Sequence, residues 1–191
     1  MTDFLRNLFH GVLDKIAGSL ISLGVNPNTV TLIGLMGNFL AGYIISSGRL
    51  GLGGLCVLIM GPVDAVDGAL ARLAGKETHF GAFFDSVADR YSELAIFFGL
   101  LIYGIRTEYD LLLIWTFLAA AGSVLVSYVR ARAEAVGAKS KIGILTRVER
   151  YLVIVPALIL NQPLVGLIVI GLLANLTALQ RIWDVRKQLM D

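Results

Sequence analysis

Apolar residues in this chain fall in long blocks separated by short polar breaks. The blocks cover residues 29–47, 50–73, 80–103, 111–129, 146–160 and 164–183. An α-helix needs about 20 consecutive apolar residues to cross the hydrocarbon core of a bilayer, and most of the blocks approach that length. The fifth is the weakest, because Arg147, Glu149 and Arg150 occupy its first turn and Asn161, Gln162 and Pro163 end it early. The pattern predicts six spanning helices.

Before the first block the period changes. Phe4, Leu5, Leu8, Phe9, Val12, Leu13, Ile16 and Ala17 recur at helical spacing, while Asp3, Arg6, Asn7, His10, Asp14 and Lys15 take the opposite face. That is the signature of an amphipathic helix. A cleavable signal peptide would need a continuous apolar stretch and a small-residue cleavage site, and neither stands out. The reading is a helix over 2–22 lying in the headgroup plane. Packing of the same face on a soluble domain is the weaker alternative, because no other domain is expected. The predicted architecture is an all-α integral membrane protein: six transmembrane helices plus an N-terminal amphipathic interfacial helix. It forms one domain over 1–191, with the six-helix bundle at 28–188.

Composition agrees with that reading. The chain is 57% hydrophobic and 16% charged, with a mean hydropathy of +0.78, too little polar surface to cover itself in water. Charge then orients the bundle. With both termini on one side, only Arg49 and Arg106 of the 16 Lys and Arg residues fall on the other. The positive-inside rule therefore puts the termini, and the loops after the second and fourth spans, in the cytoplasm of a multi-pass cell-membrane protein. The single Cys56 forms no intrachain disulfide and belongs to no CxxC or Cys/His spacing, and His10 and His79 are isolated. No Walker loop or nucleic-acid-binding pattern occurs, so no nucleic-acid partner is expected.

Against this background the stretch "DAVDGALARLAGKETHFGAFFDSVAD", residues 64–89, is an anomaly. Asp64 and Asp67 are three residues apart and Asp85 and Asp89 four, so each pair points off one face of its helix. A short connection makes the two helices antiparallel and predicts that the faces meet as a cluster of four carboxylates at the cytoplasmic end. An aspartate near the centre of a spanning helix costs about 2.5–3.5 kcal/mol, and four like charges also repel. A cation must compensate them. Oxygen ligands without paired His or Cys favour a hard ion such as Mg²⁺, Mn²⁺ or Ca²⁺ over zinc. Two such ions would leave a site able to clamp a phosphate. Gly68, Ala71 and Gly81 remove bulk beside the carboxylates, as a bound ligand or a closely packed helix would each require.

The spacing Asp64-x2-Asp67-Gly68-x2-Ala71-Arg72-x8-Gly81-x3-Asp85-x3-Asp89, eight fixed positions, resembles the complete signature of the CDP-alcohol phosphotransferase family. The resemblance extends over most of the chain and implies six spanning helices and an interfacial helix. It implies a reaction in which a lipid phosphate passes from a CDP-linked donor, CDP-diacylglycerol or CDP-archaeol, to an alcohol with release of CMP. By the same resemblance Asp64, Asp67, Asp85 and Asp89 would hold two divalent cations, Mg²⁺ or Mn²⁺, and Asp89 would be the catalytic base. Asn28, Thr31, Gly68, Arg72, Thr78 and Gly81 would bind the CDP-lipid, and the protein would be a homodimer. Arg72 also has a rationale of its own, since a guanidinium grips phosphate oxygens in a fork. Snorkelling from a helix end would explain it as well, just as helix capping would explain Asn28.

The acceptor is read from a second basic cluster, "SYVRARAE" and "RVER" around one cytoplasmic loop, with Arg181 from the last span. So many cations beside a metal-filled cavity point to an acceptor bearing its own phosphate. These stretches resemble the subgroup that uses inositol 1-phosphate, implying acceptor-phosphate contacts from Ser127, Arg130, Arg147, Arg150 and Arg181. Lysine is more common at the position of Arg130, and an acidic residue at that of Thr146. Another phosphorylated polyol, glycerol 3-phosphate, is the alternative acceptor. A cation transporter lined by carboxylates is the alternative of a different class. It would place acids near mid-bilayer and show repeated halves, whereas here the acids sit at one end and no repeat is found.

Overall fold

The structure, a computed structural model, describes residues 2–140 and 142–190, with the side chains of that range apart from residues 2–10 and 12. Seven helices and no strand are present among the described residues. They are α1 (Thr2–Ser22), α2 (Pro27–Ser46), α3 (Leu50–Leu73), α4 (His79–Arg106), α5 (Asp110–Ala135), α6 (Arg147–Ile159) and α7 (Pro163–Met190). Lys141, and the apolar side chains Phe4, Leu5, Leu8, Phe9 and Val12 expected on one face of α1, lie outside the described residues.

The principal packing partners close a ring: α2 on α3, α3 on α6, α6 on α7, α7 on α5, α5 on α4, and α4 back on α2. Helix α1 lies outside the ring against α3, where Ala17 joins Val30, Val66, Ala69 and Leu70 in a small apolar cluster. The main core runs through the ring, including Ile45, Val57, Leu100, Leu112, Leu158, Leu167 and Ile170. Large apolar side chains such as Met36, Tyr43, Phe98, Phe117 and Leu179 point outward, as they do where the solvent is lipid.

Four helices, α2, α3, α5 and α7, are long and apolar enough to cross a membrane. Helix α4 has 28 residues, but its first 15 include Asp85, Asp89, Arg90 and Glu93. Helix α6 has 13 residues, about 20 Å of rise. Its shortness follows from the loop before it, which does not stay at the surface. Ala138, Ser140 and Leu145 are buried, the Leu145 N–H donates to Thr177 Oγ1 at 3.0 Å, and Arg181 Nε donates to the Ile142 carbonyl at 2.9 Å. The chain enters the bundle before α6 begins.

Backbones touch where α2 crosses α4. A Cβ on Gly99 would strike the Gly42 carbonyl, and one on Gly42 would strike the Ala95 carbonyl. Small residues that let helix backbones meet are a recurrent membrane packing device. The obstructing atoms are backbone and cannot swing aside, so Gly99→Ala is expected to cost about 1–3 kcal/mol through overpacking. Thermal melting in detergent checks this, and an unchanged melting temperature would refute the close crossing.

Candidate active site

The aspartates are placed by the way α3 ends. Gly75, at φ +60, donates its N–H to the Arg72 carbonyl while Lys76 donates to that of Ala71, a closing pattern that reverses the chain within a few residues. Helix α4 then starts on Thr78, whose Oγ1 accepts the Gly81 N–H at 2.9 Å. Both aspartate pairs consequently lie at one end of the bundle. The hairpin differs from the expected pair of mutually packed helices, because the extensive contacts of α3 and α4 are with α2. That leaves room between the two acidic faces.

Helix α2 shapes this room. A Cβ on Gly34 would lie 2.6 Å from Asp64 Oδ1, so only glycine lets that carboxylate lie against α2. Thr31 donates to Asp67 Oδ2 at 2.6 Å, and Asp67 is 5% exposed, the most enclosed of the four. Arg147, the first residue of α6, places Nη2 at 2.5 Å from Asp64 Oδ2 and 2.6 Å from Asp89 Oδ1. Arg90 Nη2 is 3.6 Å from Asp89 Oδ2. Asp85 is half-buried one turn before Asp89, close enough for its charge to act on Asp64, Asp67 and Asp89. One guanidinium thus bridges two of four neighbouring carboxylates, which bears the cost of holding charge in a poorly hydrated place.

Among the described residues no three Asp, Glu, His or Cys side chains converge as a ready-made metal cage. The donor set nevertheless has the chemistry of a hard divalent ion: four carboxylates at one end of the bundle, no His or Cys among them, and the Arg147 guanidinium already drawn onto Asp64 and Asp89.

The residues assigned to the CDP-lipid surround the same end. Asn28, Thr29, Leu32, Phe80 and Phe84 line a cleft of about 280 Å³, with the Phe80 and Phe84 rings stacked at 6.1 Å. A Cβ on Gly81 would sit 3.0 Å from Thr78 Oγ1 and 3.5 Å from Asn28 Oδ1, so these three residues are neighbours. Gly68 lies beside the exposed Arg72, whose Nη1 is 3.5 Å from where a Cβ would be.

The residues assigned to the acceptor phosphate divide. Arg147 and Arg150 line a cavity of about 620 Å³ between α2, α3, α4, α6 and α7, together with Asp64 and Asp89. Arg150 is 2% exposed and forks onto Glu93, Nε to Oε1 at 2.6 Å and Nη2 to Oε2 at 3.1 Å. Its third nitrogen, Nη1, is buried with no hydrogen-bond partner among the described residues. Ser127 accepts a hydrogen bond from Arg90. Arg130 is half-exposed and pairs with Glu134 on its own helix at 3.0 Å. Arg181 is buried, and its Nη1 donates to the Val126 carbonyl at 2.7 Å, so in this structure it ties α7 to α5 and the buried loop.

Sequence reasoning passed over Arg90, Glu93 and Tyr151. Glu93 continues the Asp85–Asp89 spacing by one more turn and could have been read as a fifth acid on that face. The pairing of Arg147 with Asp64, 83 positions away, and with Asp89 left no local signal.

A sequence profile of CDP-alcohol phosphatidyltransferases matches residues 24–180. The chain belongs to that family. Archaetidylinositol phosphate synthase of Pyrococcus horikoshii is 38% identical over 178 residues, 93% of this chain and 92% of that one. A crystal structure of Mycobacterium tuberculosis phosphatidylinositol phosphate synthase with CDP-DAG bound matches with a TM-score of 0.86 at 29% identity, covering 91% of this chain and 93% of that one. The same enzyme in complex with manganese and citrate matches with a TM-score of 0.84 at 30% identity, covering 91% and 88%. As a CDP-alcohol phosphatidyltransferase the protein is an enzyme of phospholipid synthesis, and its motif-bearing helices α3 and α4 fall within the matched segment.

Proposed function

We propose that this enzyme transfers a phosphatidyl or archaetidyl group from a CDP-linked lipid to inositol 1-phosphate and releases CMP. The observation that carries the reading is the single cavity in which Asp64 and Asp89 share a wall with Arg147 and Arg150. Acids suited to a metal-bound diphosphate and guanidiniums suited to a second phosphate line one space. The product in the names of the relatives supports the acceptor, the CDP-DAG of the solved relative supports the donor, and its manganese supports a divalent metal.

In this reading Asn28, Thr31, Gly68, Thr78 and Gly81 hold the nucleotide end of the donor and Arg72 takes its phosphate oxygens. Asp64, Asp67, Asp85 and Asp89 would hold two Mg²⁺ or Mn²⁺ ions, which supply Lewis-acid polarisation of the donor phosphates. Arg150, through the Nη1 left over from its fork with Glu93, binds the acceptor phosphate beside Arg147, and Ser127, Arg130 and Arg181 would join them on leaving their present partners Arg90, Glu134 and the Ile142 and Val126 carbonyls. The acceptor hydroxyl attacks the lipid-linked phosphorus, the bond from that phosphorus to the CMP oxygen breaks, and Asp89 accepts the hydroxyl proton.

The membrane arrangement follows the ring. Helices α4 and α6 complete six spans over 28–188, α1 over 2–22 lies in the interface, and the whole 1–191 chain is one membrane domain that pairs as a homodimer. The end bearing the aspartates and both termini faces the cytoplasm, because Arg49 and Arg106 lie at the other end, where Arg106 Nη1 donates to the Ser46 carbonyl at 2.9 Å. The CDP-lipid enters sideways from the bilayer and the acceptor from water.

The test is CMP release by purified protein with CDP-lipid and Mg²⁺, offering inositol 1-phosphate, glycerol 3-phosphate, serine or free inositol. Release is expected with inositol 1-phosphate alone. Release only with another acceptor would overturn the arginine assignment and leave the aspartates in place; no release from folded protein would overturn both.

A further inference from the structure

Proline at position 62 sits inside α3, two residues before Asp64, and the helix runs on through it. It has no N–H, so the Leu58 carbonyl one turn earlier loses its helical donor, and the pyrrolidine ring crowds that same carbonyl. In a bilayer an orphaned carbonyl must find another partner. The partner here comes from a different helix. Tyr151 Oη donates to the Leu58 carbonyl at 2.8 Å and lies 3.1 Å from that of Val57. Space for it exists because residue 61 is glycine: a Cβ there would run into the Tyr151 hydroxyl and ring. One turn before Tyr151 on α6, Arg147 grips Asp64 on the other side of the proline.

We infer that Tyr151 is a positioning residue, whose hydroxyl replaces the N–H missing at Pro62 and, with Arg147, braces α3 across that gap in its hydrogen-bond ladder so that Asp64 and Asp67 keep their direction. Helix α6 thereby holds α3 above and below its weak point, and the direction of the metal-binding acids depends on a helix that contributes none of them. The inference rests on the proposed assignment of those aspartates to a metal.

The test compares Tyr151→Phe, Pro62→Ala and the double variant, all full-length and in detergent, reading Mn²⁺ binding from the electron paramagnetic resonance of the free ion alongside CMP release. Tyr151→Phe is expected to weaken Mn²⁺ binding and to lower kcat by about 10-fold each, as loss of an outer-shell partner does, with the acceptor KM unchanged. Restoring a backbone donor through Pro62→Ala is expected to make the Tyr151 hydroxyl dispensable, so the second substitution then has little effect. Wild-type Mn²⁺ affinity in Tyr151→Phe would overturn the inference, whether or not Pro62→Ala folds. An unchanged penalty in the Pro62→Ala background, or a rise in acceptor KM alone, would overturn it too. Failure of the metal reading itself would look different: the unaltered protein would bind no Mn²⁺.

Discussion

Asp85→Asn is expected to abolish CMP release, with a loss beyond the 10–100-fold range that removal of an outer-shell metal partner typically costs, and to leave the fold intact. Asparagine keeps the size of the side chain and one acceptor oxygen but removes the charge. A hard divalent ion binds through charge and oxygen together, so the site loses its grip even though its shape survives. Stability should move little. Asp85 faces the like charges of Asp64, Asp67 and Asp89 and the opposite charges of Arg147 and Arg90, and neutralising it gives up the repulsion and the attraction together. The melting temperature in detergent should therefore stay close to that of the unaltered protein while activity disappears. A variant that turns over at a near-normal rate would sink the two-metal reading; one that unfolds would show that the cluster is structural.

Glu93→Ala is expected to have the largest effect on stability, about 3–5 kcal/mol, the usual penalty for stranding one member of a buried ion pair. Arg150 is 2% exposed and its side chain is anchored by both oxygens of Glu93. Without that carboxylate the guanidinium is left charged and enclosed. Glu93→Gln keeps one acceptor oxygen and should cost less, while raising the acceptor KM because the fork that aims Arg150 is broken. Thermal melting and the KM for inositol 1-phosphate, measured on both variants, check the two parts. A melting temperature for Glu93→Ala equal to that of the unaltered protein would mean that Arg150 finds another partner, and the aiming role would fall with it.

Much of the site was legible locally. The aspartate spacing is a property of two short segments, because residues three and four apart share a helix face wherever the helix packs. The turn between the pairs follows from Gly75 and Thr78, one able to adopt positive φ and the other able to cap. Long apolar blocks reported helices for the same reason, and the elements at Pro27–Ser46, Leu50–Leu73 and His79–Arg106 follow the blocks closely, while Asp110–Ala135 runs on past its block. The weakness of the fifth block reappears as the 13-residue α6.

What the sequence determined by itself was chemistry and local direction: which residues carry charge, which face of a helix they leave from, and where the chain can turn. Periodicity acts over a few residues and cannot say which helix stands beside which. Tertiary structure decided that α2 lies against both acidic helices, that Arg147 reaches back to Asp64 and Asp89, that Glu93 claims Arg150, and that Arg181 spends two of its nitrogens on backbone carbonyls. These pairings join residues tens of positions apart. A buried charge takes whatever partner the packing brings within reach, and the packing is set by small residues such as Gly34, Gly42 and Gly99, whose role shows only when the opposing backbone or carboxylate is in view.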